Sequence, residues 1–251
     1  MSDEPQTARI WNYWLGGTDN FEVDRRVGDQ IRAAFPQIVD NARASRAFLV
    51  RAVSWAAGEA GIRQFLDVGT GLPTADNTHE VAQRIAPGSR VVYVDNDPLI
   101  LTQARALLTS SPEGATRYID ADARDSARVL AAARETLDLD RPVALIMSGI
   151  LGHVTDDEQA LAMVRDYVAA LAPGSFLIAL DGSHSVEHGA AEKIWNEQAH
   201  PPYVLRSPAA FARFFAGLEL VAPGVTSAPL WRPGAGDPQR LDVVCGVARK
   251  P

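Results

Sequence analysis

Apolar positions along this chain follow two alternating rhythms. From residue 63 onward, short apolar runs ending on an acid or a glycine occupy 63–68, 90–95, 117–122, 142–149 and 175–181. Between and after them, at 78–86, 98–108, 125–137, 156–171, 185–199 and 208–216, apolar residues recur every three or four positions. A continuous apolar run marks a strand buried on both faces, and the longer period marks a helix packed on one side. Strict alternation of the two predicts a parallel sheet with helices on both faces. Two last strands, 218–222 and 240–248, are joined by a connector rich in Pro and Gly with no room for a crossover helix. That predicts an antiparallel final pair. Punctuation agrees with this pattern. Asn77 and Glu80 have capping-box spacing, Pro98 suits a first helical turn, and Asp97 suits the N-cap before it.

Ahead of the first strand the pattern is helical. Residues 1–7 are polar and read as a disordered leader. Trp11, Tyr13 and Trp14 follow, then Gly16-Gly17 and the polar turn Thr18-Asp19-Asn20. Two expectations fit: a short helix whose aromatics pack on the core, or a lid over a ligand with a Gly-Gly hinge. Val27, Ile31, Ala34 and Phe35 then trace one helical face up to Pro36. Asn41 is expected to cap a second helix that carries Phe48, Leu49, Ala52 and Trp55 and ends at Gly58 or Gly61. Arg25, Arg26, Arg43, Arg46 and Arg51 are expected on outer faces. The chain thus divides into an N-terminal helical cap, 1–61, and a sheet domain, 62–251, forming one compact unit.

Composition narrows the class. A 251-residue chain with 47% hydrophobic residues supports one large α/β domain. A net charge of −7 argues against a general nucleic-acid binder. One cysteine, Cys245, excludes a disulfide framework and a cysteine-rich metal centre. With no signal peptide, it points to a reducing cytoplasm. No apolar run approaches the roughly 18–20 residues of a membrane span. The expected partner is a small molecule, with no nucleic acid and no membrane.

The chemistry centres on Phe65-Leu66-Asp67-Val68-Gly69-Thr70-Gly71-Leu72-Pro73, a strand that ends on acid and turns on two glycines. Val91-Val92-Tyr93-Val94-Asp95 answers it. Two such strand ends form a nucleoside-binding crevice in an open α/β sheet. The dinucleotide fingerprint fails, because Thr74 stands where its third glycine belongs and Pro73 delays the helix. The phosphate-binding P-loop is absent. A nucleoside without phosphate remains, with Asp95 placed for ribose hydroxyls and Asp122 for an exocyclic amine. Three readings stay open on these residues. They are a nucleoside-cofactor enzyme, a binding protein that lost turnover, and an NAD-dependent oxidoreductase, which the missing glycine disfavours.

Asp67-x-Gly69-x-Gly71, Val94-Asp95, Asp120-Ala121-Asp122-Ala123 and the strand ending in Ser148-Gly149 resemble, in order and spacing, the motifs of class I S-adenosylmethionine-dependent methyltransferases. More narrowly, Trp14-Leu15-Gly16-Gly17-x-Asp19-Asn20-Phe21, Asp67 through Thr74 and Asn77-Thr78-His79-Glu80 resemble an actinobacterial family of such enzymes with largely unassigned substrates. The resemblance implies a Rossmann-like seven-stranded sheet of order 3-2-1-4-5-7-6 with the last strand antiparallel. It implies S-adenosylmethionine as cofactor. Asp67, Gly69, Thr70 and Gly71 would face its methionine and ribose, Asp95 and Asn96 the ribose, and Asp122 and Ala123 the adenine. Ser148 and Gly149 would border the methyl group, with Tyr13 and Gly17 adding contacts from the cap. Thr74 or Asn77 would replace the absent third glycine at the methionine carboxylate.

The expected reaction is methyl transfer to an oxygen or nitrogen of a small molecule, in which orientation does much of the work. His153 and His184 are the base candidates, since each follows a strand at the edge where sites form. The plainer alternative for each is a hydrogen bond to loop backbone. His188 and His200 are expected at the surface. Tyr13, Trp14 and Trp195 either line a pocket or pack in the core. No metal site is expected, since Asp181 lacks a carboxylate or histidine partner at ligand spacing. Pro201-Pro202-Tyr203 comes too late in the chain for the tetrad used in amino methylation of bases or glutamine.

Overall fold

The computed structural model describes residues 4–73, 76–97, 100 and 109–251. Its centre is one sheet with strands β1 (Gln64–Val68), β2 (Arg90–Asp95), β3 (Ala115–Asp120), β4 (Ala144–Ser148), β5 (Phe176–Gly182), β6 (Glu219–Leu220), β7 (Thr226–Ser227) and β8 (Val243–Arg249). The strand order is β3-β2-β1-β4-β5-β8-β6, with β7 also paired to β8. Strands β1 to β5 run parallel, and β8 lies antiparallel to β5. This is the expected Rossmann-like arrangement, with one refinement. The edge partner of the last strand is split into β6 and β7, because Pro223-Gly224 interrupts it.

The described helices are α1 (Thr7–Trp14), α2 (Glu22–Ala34), α3 (Ile38–Gly58), α4 (Thr78–Ile85), α5 (Ser126–Ala133), α6 (Asp157–Ala169), α7 (Val186–Gln198) and α8 (Pro208–Ala212). The helix expected over 98–108 lies, apart from the buried Ile100, outside the described residues. Side chains alternate across the strands. Leu66, Val92 and Leu145 pack on one face with α5 and α6, while Phe65, Val91 and Ile146 pack on the other with α3 and α4. A third core sits over the carboxyl ends of the strands, where Ile10, Trp14, Val27, Ile31 and Phe35 from α1 and α2 meet Ala191 and Trp195 of α7. No described helix is long and apolar enough to cross a membrane.

Several boundaries move for local reasons. Strand β3 spans Ala115–Asp120, two residues earlier than expected, because it pairs with β2 residue for residue and both end together at Asp120 and Asp95. Helix α5 stops at Ala133, where Glu135 and Thr136 switch to tighter bonds on the Ala132 and Ala133 carbonyls. Asn41 does not cap α3, which starts three residues earlier, just past Pro36; its Nδ2 instead donates to the Asp242 carbonyl at 3.2 Å. The leader is ordered at its end, since the Thr7 N–H donates to the His200 carbonyl. His188 is buried rather than at the surface; Nδ1 bonds the Ser183 carbonyl and the ring stacks on Phe35.

One ion pair fastens the cap. Asp24 is 0% exposed and accepts from Arg9 Nε at 2.7 Å, the Gln6 N–H at 2.9 Å and the Phe21 N–H at 2.8 Å. It thereby joins the first turn of α1 and the residue before α2 to α2. Removing one partner of such a pair leaves a buried charge unmatched. Asp24→Ala is therefore expected to cost roughly 3–5 kcal/mol in urea denaturation, and more than Arg43→Ala, whose pairing with Asp40 is solvent-exposed.

Candidate functional site

The carboxyl ends of β1 to β4 open into a cavity of about 1130 Å³. Its wall at β1 begins with Asp67, held by the chain on both sides. Thr78, the first residue of α4, donates its hydroxyl to Asp67 at 2.6 Å. The residues around it explain the Asn77-Thr78-His79-Glu80 motif. Asn77 and Glu80 cap α4, and the His79 N–H donates to the Tyr93 hydroxyl beneath. Burial pushes the Asp67 carboxyl up to about 6, against the opposing pull of Thr78 and the Arg46 charge.

The glycine loop follows, and its N–H groups are engaged with β2. Gly69 and Thr70 donate to the Val94 carbonyl at 2.8 and 3.3 Å, and Gly71 donates to Asp95 Oδ2 at 3.0 Å. Gly69 has φ +76, and a side chain there would start 2.7 Å from Ile150. Gly71 and Gly149 also have positive φ, but a side chain at either would meet no protein atom within 4 Å. Both line the cavity, so the loop and the end of β4 keep that volume clear for a ligand. Asp95 accepts a second bond from the Asp97 N–H at 3.1 Å, and burial raises its pKa.

At the β3 end, Asp122 is bound by Arg124 through backbone, Nε and Nη2, which holds its carboxyl below the usual range. Tyr167 anchors the same turn by donating to the Ala123 carbonyl at 2.9 Å. Asn96, Ala123, Ser148 and Thr70 join this wall. Ten of the twelve residues proposed for the cofactor therefore meet around one space. Tyr13 and Gly17 do not line it. Tyr13 turns its hydroxyl to Asp29, and Gly17 is pressed against Asn12 in a loop closed by Asn20. Trp11, Asn12, Trp14 and Leu15 line the cavity in their place. Thr74 lies outside the described residues, while Asn77 lines the cavity.

Helix α3 contributes a residue that sequence reasoning misplaced. Arg46 is half-buried and lines the cavity instead of an outer face, with Nη2 donating to the Asp76 carbonyl at 2.7 Å. Arg51 is likewise turned inward, onto the carbonyls of Ala228 and Trp231. The signal was present: Asn41, Ser45 and Leu49 recur at helical spacing beside Arg46, and all four face the cavity. Polar residues on a buried helical stripe mark a wet site.

The far side of the cavity is built by the segment after α7. Arg206 is buried and bonds the carbonyls of Leu151 and Val154, both at 2.7 Å, and Asp157 at 2.8 Å. It thereby fixes the short 3₁₀ turn Leu151–His153. Asp181, pushed up to about 7 by burial, accepts from the Gly152 N–H at 2.7 Å and from the Tyr203 hydroxyl. His153 lines the cavity, and its Nδ1 bonds the Pro202 carbonyl at 2.8 Å. His184 is exposed and stands outside the cavity lining. Pro201, Pro202 and Tyr203, late in the chain, nevertheless reach the cavity. No group of three or more metal-ligating side chains occurs among the described residues.

Comparison with known proteins agrees with this geometry. A family profile described as S-adenosyl methyltransferase matches residues 1–251. A Streptomyces avermitilis protein of the DUF574 family is 43% identical, with a TM-score of 0.95, covering 100% of this chain and 99% of that one. A Thermobifida fusca protein, itself a methyltransferase by inference, is 40% identical with a TM-score of 0.90, covering 98% and 95%. The N-methyltransferase NodS of Bradyrhizobium japonicum, in complex with S-adenosyl-L-homocysteine, shares the fold at 13% identity and a TM-score of 0.52, covering 97% and 99%. No curated protein matches the sequence.

The two glycines of the loop differ in a testable way. Both need left-handed backbone, which costs other residues roughly 1–2 kcal/mol, but only Gly69 also lacks room. Gly71→Ala is expected to lower stability by that conformational amount alone, and Gly69→Ala by clearly more, in paired urea titrations.

Proposed function

The chain belongs to the S-adenosyl methyltransferase family, and from that premise we propose that Asp67 and Arg46 receive the methionine end of S-adenosylmethionine while Asp95 and Asp122 receive its nucleoside. The protein is an S-adenosylmethionine-dependent methyltransferase. When bound, the cofactor supplies an electrophilic methyl group on a sulfonium. What the protein contributes is binding, orientation and exclusion of water.

The observation that carries this reading is the engagement of the glycine loop. The N–H groups of Gly69, Thr70 and Gly71 already donate to β2, so the charges of the methionine end fall to side chains. That end is a zwitterion. Asp67 suits its ammonium, and Arg46, whose own charge acts on Asp67, suits its carboxylate. Asp95 sits at the end of β2, where a carboxylate accepts ribose hydroxyls. Asp122, steadied by Arg124, offers an acceptor to the adenine amine. Ser148 and Gly149 border the transferred methyl. Of the two histidines, His153 faces the acceptor side, while His184 would need to approach from outside the lining.

The N-terminal helices serve this cavity as a cap, with Trp11 and Trp14 among its lining residues. The acceptor is a small molecule, since the cavity exceeds the roughly 300–1,000 Å³ of a pocket for one drug-sized ligand and leaves space beside the cofactor. A net charge of −7 and a single buried thiol, Cys245, favour a cytoplasmic enzyme without a nucleic-acid substrate.

Calorimetry with S-adenosylhomocysteine and with adenosine separates the roles. Asp95→Ala is expected to weaken both ligands by about 1–3 kcal/mol, the cost of unpaired hydroxyls. Arg46→Ala is expected to weaken S-adenosylhomocysteine by about 1.5–3 kcal/mol, as for a charged hydrogen bond, and to leave adenosine, which has no carboxylate, unchanged. Equal losses on both ligands would reverse the assignment of Arg46.

The buried carboxylate adds a pH signature. With its pKa raised to about 6, Asp67 is charged above that pH and neutral below it. Its ammonium partner needs the charged form. Affinity for S-adenosylhomocysteine is therefore expected to be flat above about pH 7 and to fall up to tenfold per unit below about 6. Asp67→Asn is expected to bind more weakly and to remove this slope.

A further inference from the structure

The acceptor side of the cavity carries a histidine whose proton inventory is set by its neighbours. His153 Nδ1 lies 2.8 Å from the Pro202 carbonyl oxygen. A carbonyl only accepts, so Nδ1 carries the hydrogen and Nε2 holds the lone pair. Burial lowers the ring's pKa, which favours this neutral form. No described group bonds Nε2, and the ring lines the cavity four residues past Gly149. The turn that carries it is held by Arg206 from one side and by Asp181, through the Gly152 N–H, from the other. An oriented neutral imidazole of this kind is a general base.

A continuous run of rings leads from the cap to this base. Trp11 and Trp14 lie 5.8 Å apart, Trp14 and Trp195 5.8 Å, Trp195 and Tyr203 5.9 Å, and Tyr203 and His153 5.0 Å. All five line the cavity. Trp11 and Tyr203 are only half-buried, so part of their surface is left for a ligand. The charges on this side are engaged within the protein: Arg9 with Asp24, and Glu192 with the Leu205 N–H at 2.8 Å. Recognition here rests on ring faces, which favour flat aromatic partners.

We propose that His153 is the catalytic base and that the acceptor is a hydroxyl group on a flat aromatic molecule. This rests on the cofactor assignment above. The hydroxyl oxygen forms the new bond to the methyl carbon as the carbon–sulfur bond breaks. The bonding pair leaves with sulfur, giving S-adenosylhomocysteine, and the hydroxyl proton passes to Nε2 and then to water. An arylamine already has a free lone pair and needs no base before attack, whereas a phenol, with a pKa near that of tyrosine at about 10, does. A tautomer-fixed base is thus matched to oxygen.

The test uses the full chain and three phenols of increasing size: catechol, 2,3-dihydroxynaphthalene and a trihydroxyflavone. The matching arylamines o-phenylenediamine and 2,3-diaminonaphthalene serve as comparators. Binding to the protein saturated with S-adenosylhomocysteine is read by tryptophan fluorescence, and transfer from S-adenosylmethionine by mass spectrometry of the products. We expect at least one phenol to quench the fluorescence and to appear as its methyl ether. His153→Asn, whose amide can still donate to Pro202, is expected to keep S-adenosylhomocysteine and phenol affinity within about twofold. It should lose transfer by about 10²- to 10⁴-fold. Methylation on nitrogen alone would overturn the proposal, as would wild type that binds S-adenosylhomocysteine yet neither binds nor methylates any phenol. Equal transfer by His153→Asn would also overturn it. Wild type that binds no S-adenosylhomocysteine would instead bring down the cofactor assignment, and this inference with it.

Discussion

The three consecutive N–H groups of the glycine loop, all donated to the end of β2, constrain everything else in this site. They lock the turn after β1 against its neighbouring strand and fix the two glycines at the cavity wall. They also remove the backbone donors that such a loop would otherwise offer to an anion. Asp67 and Arg46 are charged side chains that line the cavity beside this loop. Arg46 comes from α3, ahead of the first strand, so the N-terminal helices supply part of the cavity wall.

That dependence explains how firmly the cap is attached. Asp24 collects Arg9 and two backbone N–H groups in a region without solvent. Gln6 pairs with His200, which ties α1 to the segment after α7. The same segment supplies Pro202, Tyr203 and Arg206, which hold the His153 turn from the outside. Cap, late segment and the His153 turn are thus one connected structure over the sheet.

Three carboxylates at strand ends carry a cost of burial. Asp67, Asp95 and Asp181 are all held above the usual carboxylate range, chiefly by burial. Asp67 and Asp95 face the cavity. Asp181 serves inside the protein, where it orders Gly152 and Tyr203. Similar chemistry, an acid at the end of a strand, therefore does two different jobs according to whether its neighbours leave a lone pair open to the cavity.

The sheet was legible in the sequence because its strands are buried on both faces, which leaves continuous apolar runs such as Val91–Val94, and because each run ends on residues that only a strand end requires. That the acids and glycines at the ends of β1 to β4 gather around one cavity was legible for the same reason, since these strands end at the same edge and their terminal residues must meet there. Local spacing also carried the α4 cap of Asn77 and Glu80. What pattern alone left undetermined depends on contacts between distant segments. Arg46 reads as an ordinary solvent-facing arginine until α3 is laid against β1. His188 reads as a surface histidine until Phe35 packs on it. Tyr203, about fifty residues after His153, joins it only because Arg206 and Pro202 fold that segment back over the sheet. Side-chain periodicity records which face of an element is buried, but not which other element buries it. The tertiary structure alone decided that the cap and the late segment meet at one side of the cavity.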